Sequence, residues 1–238
     1  MLTGDPKILS IAFLGGIIPS LLWLWFWVKK EEKEPEPKII LLMIFLMGMV
    51  AVVFVLPIQK FIQENIGSRE FQIILWAGAE EMIKYLAVMI ILFKATRVHE
   101  PIDWPIYMIT AALGFAALEN ALFLKQSLSL DQTTVGLFTA ASIGQLRFLG
   151  STLLHAVSSG ILGIGLGISI YMTKFKRKLY IFIGLVLAIA LHSVFNFFIM
   201  KIRLDDGNGF LEILKVFAFL WVVTIIVMLL FEKIRRMN

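Results

Sequence analysis

The chain has no cysteine, which excludes disulfides and thiolate metal sites. Charge is scarce: Asp, Glu, Lys and Arg make up 16% of its 238 residues, against roughly 25% in an average soluble protein. No polar block is long enough to fold separately, so residues 1–238 read as a single integral-membrane domain. The net charge of +5 is not gathered into a nucleic-acid-binding patch; the basic residues flank apolar runs instead. What is present in excess is hydrophobicity, at 59% of residues with a mean hydropathy of +0.88. It falls into separate runs of about 20 residues, the length of a membrane-crossing helix. The fold class expected is an all-α, polytopic transmembrane helical bundle.

Seven spans are expected, at about Ile8–Val28, Ile39–Ile58, Phe71–Phe93, Pro105–Leu124, Leu146–Tyr171, Leu179–Met200 and Phe210–Phe231. The first could be mistaken for a signal peptide. It lacks a strongly basic leader and ends in Trp23, Trp25 and Trp27 followed by Lys29-Lys30, so it reads as a retained span with an aromatic belt. The second is expected to close near Pro57, leaving Gln59–Glu70 as a polar loop. Thr133–Gln145 is too short to cross and reads as a re-entrant or interfacial segment. With the N-terminus outside and the C-terminus in the cytoplasm, thirteen Lys and Arg fall inside and seven outside. An eighth span would break that bias, so the orientation follows the positive-inside rule. The setting is a multi-pass protein of a prokaryotic cell membrane.

Against this apolar background a few polar residues stand out. Glu80, Glu81 and Lys84 lie in the middle of the third run, where each ionisable group costs roughly 2.5–3.5 kcal/mol to insert. One lysine at i,i+4 and i,i+3 can lie beside both carboxylates but offset only one. Glu119-Asn120, Arg147, His155, and His192 with Asn196 stand out in the same way in spans four to six. Arg147, Ser151, His155 and Ser159 form one i+4 row, hence one helix face. Taken singly, each has a bland reading. The Glu-Lys set could be an ion pair between helices, a His or Asn a helix–helix hydrogen bond, and Arg147 a side chain reaching the interface. Depth argues otherwise. At ~1.5 Å per residue, Glu80 and Glu81 lie ~14 Å, Glu119 ~8 Å, His155 ~13 Å and His192 ~12 Å from the outer ends of their spans. Four helices thus carry polar groups at similar depth in the outer half of the membrane, as one shared site requires.

Two chemistries suit such a set. Two imidazoles and a carboxylate make an open three-ligand site for a catalytic metal, with a second Glu as acid or base. Without metal, a desolvated Glu could activate water directly, with His192 and Asn196 donating to an oxyanion. Both end in amide hydrolysis within or beside the membrane. A rival reading is a proton- or cation-coupled transporter or channel, because buried ionisable groups also mark ion paths. The inner halves of spans three to six are almost wholly apolar, as in Met89–Phe93 and Leu179–Leu187, and that disfavours a through-path.

The combination Glu80-Glu81-x-x-Lys84, Phe115-x-x-x-Glu119-Asn120, His155 and His192-x-x-x-Asn196 resembles the PrsW family of intramembrane proteases. That family is similar in turn to the wider CAAX-protease and bacteriocin-processing superfamily. The resemblance covers residues 70–200. It implies a protease that acts on membrane-tethered proteins, of the anti-sigma-factor kind, within the bilayer. Carried over by position, the site residues are Glu80, Glu81, Lys84, Glu119, His155, His192 and Asn196. The expected metal ligands are Glu119, His155 and His192, holding zinc or another divalent transition metal, with Glu81 as base; a glutamic-type enzyme would need no cofactor. Two departures from the CAAX pattern, Lys84 at the third place after the Glu pair where that pattern has Arg at the fourth, and Glu119 where it has His, argue against prenylated-cysteine substrates.

Overall fold

The computed structural model describes residues 5–29, 36–95, 100–130, 134–201 and 209–236. These form α1 (Pro6–Val28), α2 (Lys38–Asn65), α3 (Arg69–Ala95), α4 (Asp103–Leu130), α5 (Thr134–Ser169), α6 (Lys174–Lys201) and α7 (Gly209–Arg235), with no strand among the described residues. Asp5 caps α1 by accepting from the backbone N–H of Lys7, and Pro6 occupies the first turn, where its missing N–H costs nothing. Six of the helices are long and apolar enough to cross a membrane. The helix outside that set is α3, which has 27 residues and carries Glu80, Glu81 and Lys84.

Two expected boundaries move. Pro57 does not close α2; it sits inside a 28-residue helix that runs on to Asn65. Membrane helices accept an interior proline when neighbouring groups satisfy the backbone it frees. Gln59 and Gln63, four residues apart, are therefore helical and both face the cavity described below. The stretch expected as a separate re-entrant or interfacial piece is instead continuous with the next span, in the 36-residue α5. It contains no proline, and extending a helix already nucleated by a long apolar span is far easier than starting a new one. Position 133 and the side chain of Arg147 lie outside the described residues.

The bundle is built around α4. Every residue from Pro101 to Ala117 is buried, and α1, α2 and α5 pack on its sides. Backbones come close where α2 and α4 cross. A Cβ on Gly48 would lie 2.1 Å from the Ala111 carbonyl oxygen, and one on Gly114 2.0 Å from that of Phe45. Only glycine fits at either position, as small residues do wherever membrane helices meet closely. At the far end of the bundle from the cavity, Tyr107 Oη donates to Glu36, just before α2. Burial pushes the Glu36 carboxyl up to about 7, with the charges of Asp103 and Glu100 adding to the rise and the Tyr107 bond opposing it. By contrast, α7 is peripheral and exposes Val222, Ile225 and Leu229, as suits a helix that faces lipid.

Candidate active site

The polar residues of α3, α4, α5 and α6 meet in one network. Glu81 and Lys84 are fully buried, and Lys84 Nζ bonds Glu81 Oε1 at 2.8 Å. Three further groups close around Glu81. Ser159 Oγ donates to Oε2 at 2.6 Å, Ser158 Oγ to Oε1 at 3.2 Å, and His192 Nδ1 lies 2.9 Å from Oε1. Because an ionised carboxylate only accepts, that contact makes Nδ1 a protonated nitrogen of His192, and in the neutral ring Nε2 then keeps a free lone pair. Lys84 Nζ also lies 2.8 Å from His155 Nδ1, and His155 Nε2 lies 2.7 Å from Glu119 Oε2. The lysine can only donate, so His155 in this arrangement is the Nε2–H tautomer, donating to Glu119. Its ring sits 4.9 Å from that of His192, edge to face, and 5.4 Å from that of Phe115. The Lys84 ammonium lies over the Phe115 ring at 4.5 Å.

Glu80 is held differently. Gln59 Nε2 donates to its Oε1 at 2.9 Å. Its Oε2 is buried without a hydrogen-bond partner, one of three such side-chain atoms among the described residues. Around that oxygen lie His192 Nε2 at 3.5 Å, Lys84 Nζ at 3.8 Å and His155 Nδ1 at 3.9 Å. Glu80, His155 and His192 each offer a ligand atom within 4.8 Å of the others. The convergent carboxylate is thus Glu80, where the sequence pointed to Glu119. A carboxylate oxygen and an imidazole nitrogen 3.5 Å apart in a buried place, with a second imidazole beside them, are the kind of donor set a divalent cation takes up. The Glu81 bond to His192 Nδ1 has the form of a carboxylate–histidine–metal relay. His155 has both nitrogens engaged, so it would exchange one contact to become a ligand.

A cavity of about 290 Å³ reaches this cluster from the end of the bundle where α2 and α6 finish and α3 begins. Glu80, Glu119, His155 and His192 line it, together with Gln59, Trp76 and Asn196. Glu81 and Lys84 do not, so Glu81 is walled off from anything that enters. Ser151 and His155 share the cavity wall while Ser159 turns to Glu81, so the i+4 row on α5 spans both sides of the cluster. Asn120 ties α4 to α5 through Thr152 Oγ1, at 2.9 Å. Neither Gln59 nor Ser158 is legible as a site residue: Gln59 follows Pro57 in a polar stretch expected as a loop, and Ser158 is one of many small residues in α5. The i,i+4 spacing of Gln59 and Gln63 beyond Pro57 was the one available signal for the former.

A membrane bundle that buries two imidazoles, two carboxylates and a lysine beside a polar cavity, with a third carboxylate opening onto it, has the makings of a membrane-embedded hydrolase. The family description "PrsW family intramembrane metalloprotease" matches residues 36–230, and the chain belongs to that family. It is 27% identical over 161 residues to Protease PrsW of Shouchella clausii (strain KSM-K16), covering 64% of this chain and 66% of the relative. Against Protease PrsW of Geobacillus kaustophilus (strain HTA426) it is 30% identical over 121 residues, 51% and 48% of the two chains. With Protease PrsW of Clostridioides difficile (strain 630) it shares 30% identity over 198 residues, 79% of each chain. The chain therefore spans less than two thirds of the length of the first two of these relatives. No solved structure matches it. With six helices among the described residues long and apolar enough to cross a membrane, and with bacterial relatives, it is a multi-pass bacterial membrane protein.

Proposed function

We propose that the protein hydrolyses peptide bonds of membrane-tethered proteins, of the anti-sigma-factor kind, using a divalent metal held by Glu80, His155 and His192, with zinc the favoured ion. The observation that carries this reading is the unpartnered, buried Glu80 Oε2 beside the His192 Nε2 lone pair, 3.5 Å away on the cavity floor. It revises two roles expected from sequence: Glu80 replaces Glu119 as carboxylate ligand, and Glu119 replaces Glu81 as base.

A metal bound there would polarise the scissile carbonyl and acidify water at neutral pH. The chain's own groups do the rest. Glu119 is about one third exposed to the cavity (36%), so it can take a proton from the attacking water and pass it to the leaving amine. Its contact with His155 fixes the carboxylate in place. Asn196, on the cavity wall, can donate to the developing oxyanion. Glu81 holds the His192 tautomer, and Lys84 offsets the carboxylate charge. An ion path is disfavoured by the packing on the sealed side of the cluster, where Val88, Ile109, Leu113 and Leu162 are all buried. The charge bias favours a cavity that opens on the outer face, with the N-terminus outside.

Co-expression with tagged single-pass membrane proteins tests the activity. A fragment made by wild type and missing with Glu80→Gln is expected; identical fragment patterns from both would sink the protease reading for those substrates. Orientation is tested separately. Because the chain has no cysteine, Gly67→Cys, at a position with open space around it, gives a single label site. An impermeant maleimide should label it on intact cells; labelling only after lysis would reverse the topology.

A further inference from the structure

The structure assigns Gln59 as the positioning residue of the metal site: its side-chain amide holds Glu80 so that one carboxylate oxygen remains free for the ion. This rests on the metal reading above. Gln59 is anchored twice. Its carbonyl oxygen accepts from Trp76 Nε1 at 3.1 Å, which ties this turn of α2 to α3. Its Nε2 donates to Glu80 Oε1 at 2.9 Å. The helix that continues through Pro57 is what brings Gln59 over the cavity at all.

The chemistry explains why an amide suits this place. Lys84 is 3.8 Å from Glu80 Oε2 and already bonds Glu81 and His155. Without a tether on Oε1, the Glu80 carboxylate is free to rotate toward that ammonium, turning its open oxygen away from His192. A charged donor at position 59 would hold the carboxylate but neutralise it as a ligand. A neutral amide holds it and leaves its charge available. Partners of this kind, one step removed from a metal, typically change affinity by about 10- to 100-fold when removed.

The test uses the full chain in detergent, stripped with chelator and titrated with zinc. Cobalt is used in parallel for its visible absorption, which reports ligand geometry. Gln59→Met conserves side-chain length and volume and keeps the backbone bond to Trp76, but it has no donor. The expected result is zinc affinity lowered about 10- to 100-fold and an altered cobalt spectrum, with the thermal midpoint moved by no more than a few degrees. Gln59→Asn keeps the amide but draws it back by one methylene, and it should show the same loss; it decides the matter if the Met variant does not fold. Wild-type affinity and an unchanged cobalt spectrum in the folded variant, with binding abolished in Glu80→Ala, would overturn the role of Gln59 and leave the metal site standing. A wild-type chain that binds neither ion would overturn both.

Discussion

On the cavity side of the polar cluster, Glu80 has one oxygen tethered to a neutral amide and the other without a hydrogen-bond partner. On the packed side, one residue further along the same helix, Glu81 is engaged by Lys84, His192, Ser158 and Ser159. Both carboxylates are buried, and the difference lies in how well their acceptors are filled. A buried polar group that is fully satisfied rigidifies the fold, and one left open invites a ligand. Adjacent residues on a helix point about 100° apart, so a Glu-Glu pair naturally serves two sides of a helix. On the function proposed above, one carboxylate is structural and the other chemical.

The sharpest way to break that comparison is to exchange the fates of the two residues. Glu80→Ala should abolish metal binding and lower cleavage by at least about 10³-fold, in keeping with the loss of a metal's several kcal/mol of transition-state stabilisation, while the protein stays folded. Glu81→Ala should instead leave Lys84 buried against too little negative charge, a defect of about 3–5 kcal/mol in stability, read by unfolding in mixed detergent. If Glu81→Ala folds as well as wild type, the structural assignment fails. Next in size, Glu119→Gln should retain zinc but lose about 10²–10⁴-fold in kcat, the range for a general acid–base. Metal loss in that variant would return Glu119 to the ligand set. Ser159→Ala removes a hydrogen bond to an ionised group and should lower stability by about 1.5–3 kcal/mol, with kcat changed far less than in Glu119→Gln.

The smallest effect lies far from the site. The Glu36 carboxyl is pushed up to about 7 from an ordinary 4.5, so the folded state binds a proton there that the unfolded state has released. Stability from this group is full below about pH 4.5 and is lost as pH rises through 7. The midpoint should fall by a few degrees between pH 5 and pH 8, and Glu36→Gln should flatten that part of the profile.

Much of this was legible in the chain. The apolar runs near 20 residues gave the helices, and the common depth of Glu80, Glu119, His155 and His192 foretold that four helices would meet at one level. That worked because burying an ionisable group in lipid costs so much that such residues must find each other. The division of labour was not legible. Glu80 and Glu81 are chemically identical, and which one faces the cavity depends on the rotation of α3 against α5 and α6, a packing outcome with no local signature. Gln59 was hidden for a different reason. Proline is a strong breaker in water, and its tolerance in α2 depends on neighbours supplied only by the fold.

The crossing of α2 and α4 bears on all of this at a distance. Gly48 and Gly114 let two backbones touch with no side chain between them. From that point α2 runs eleven residues, about 16 Å, to Gln59, and α4 runs five residues to Glu119. The contact is a fulcrum with two arms of unequal length. A single methyl at Gly48 or Gly114 would wedge the arms apart, and the longer arm would carry the larger swing, at the Gln59–Glu80 bond. Residues remote from any substrate can therefore retune the reacting groups through leverage alone, and the two glycines mark where such tuning is most strongly constrained.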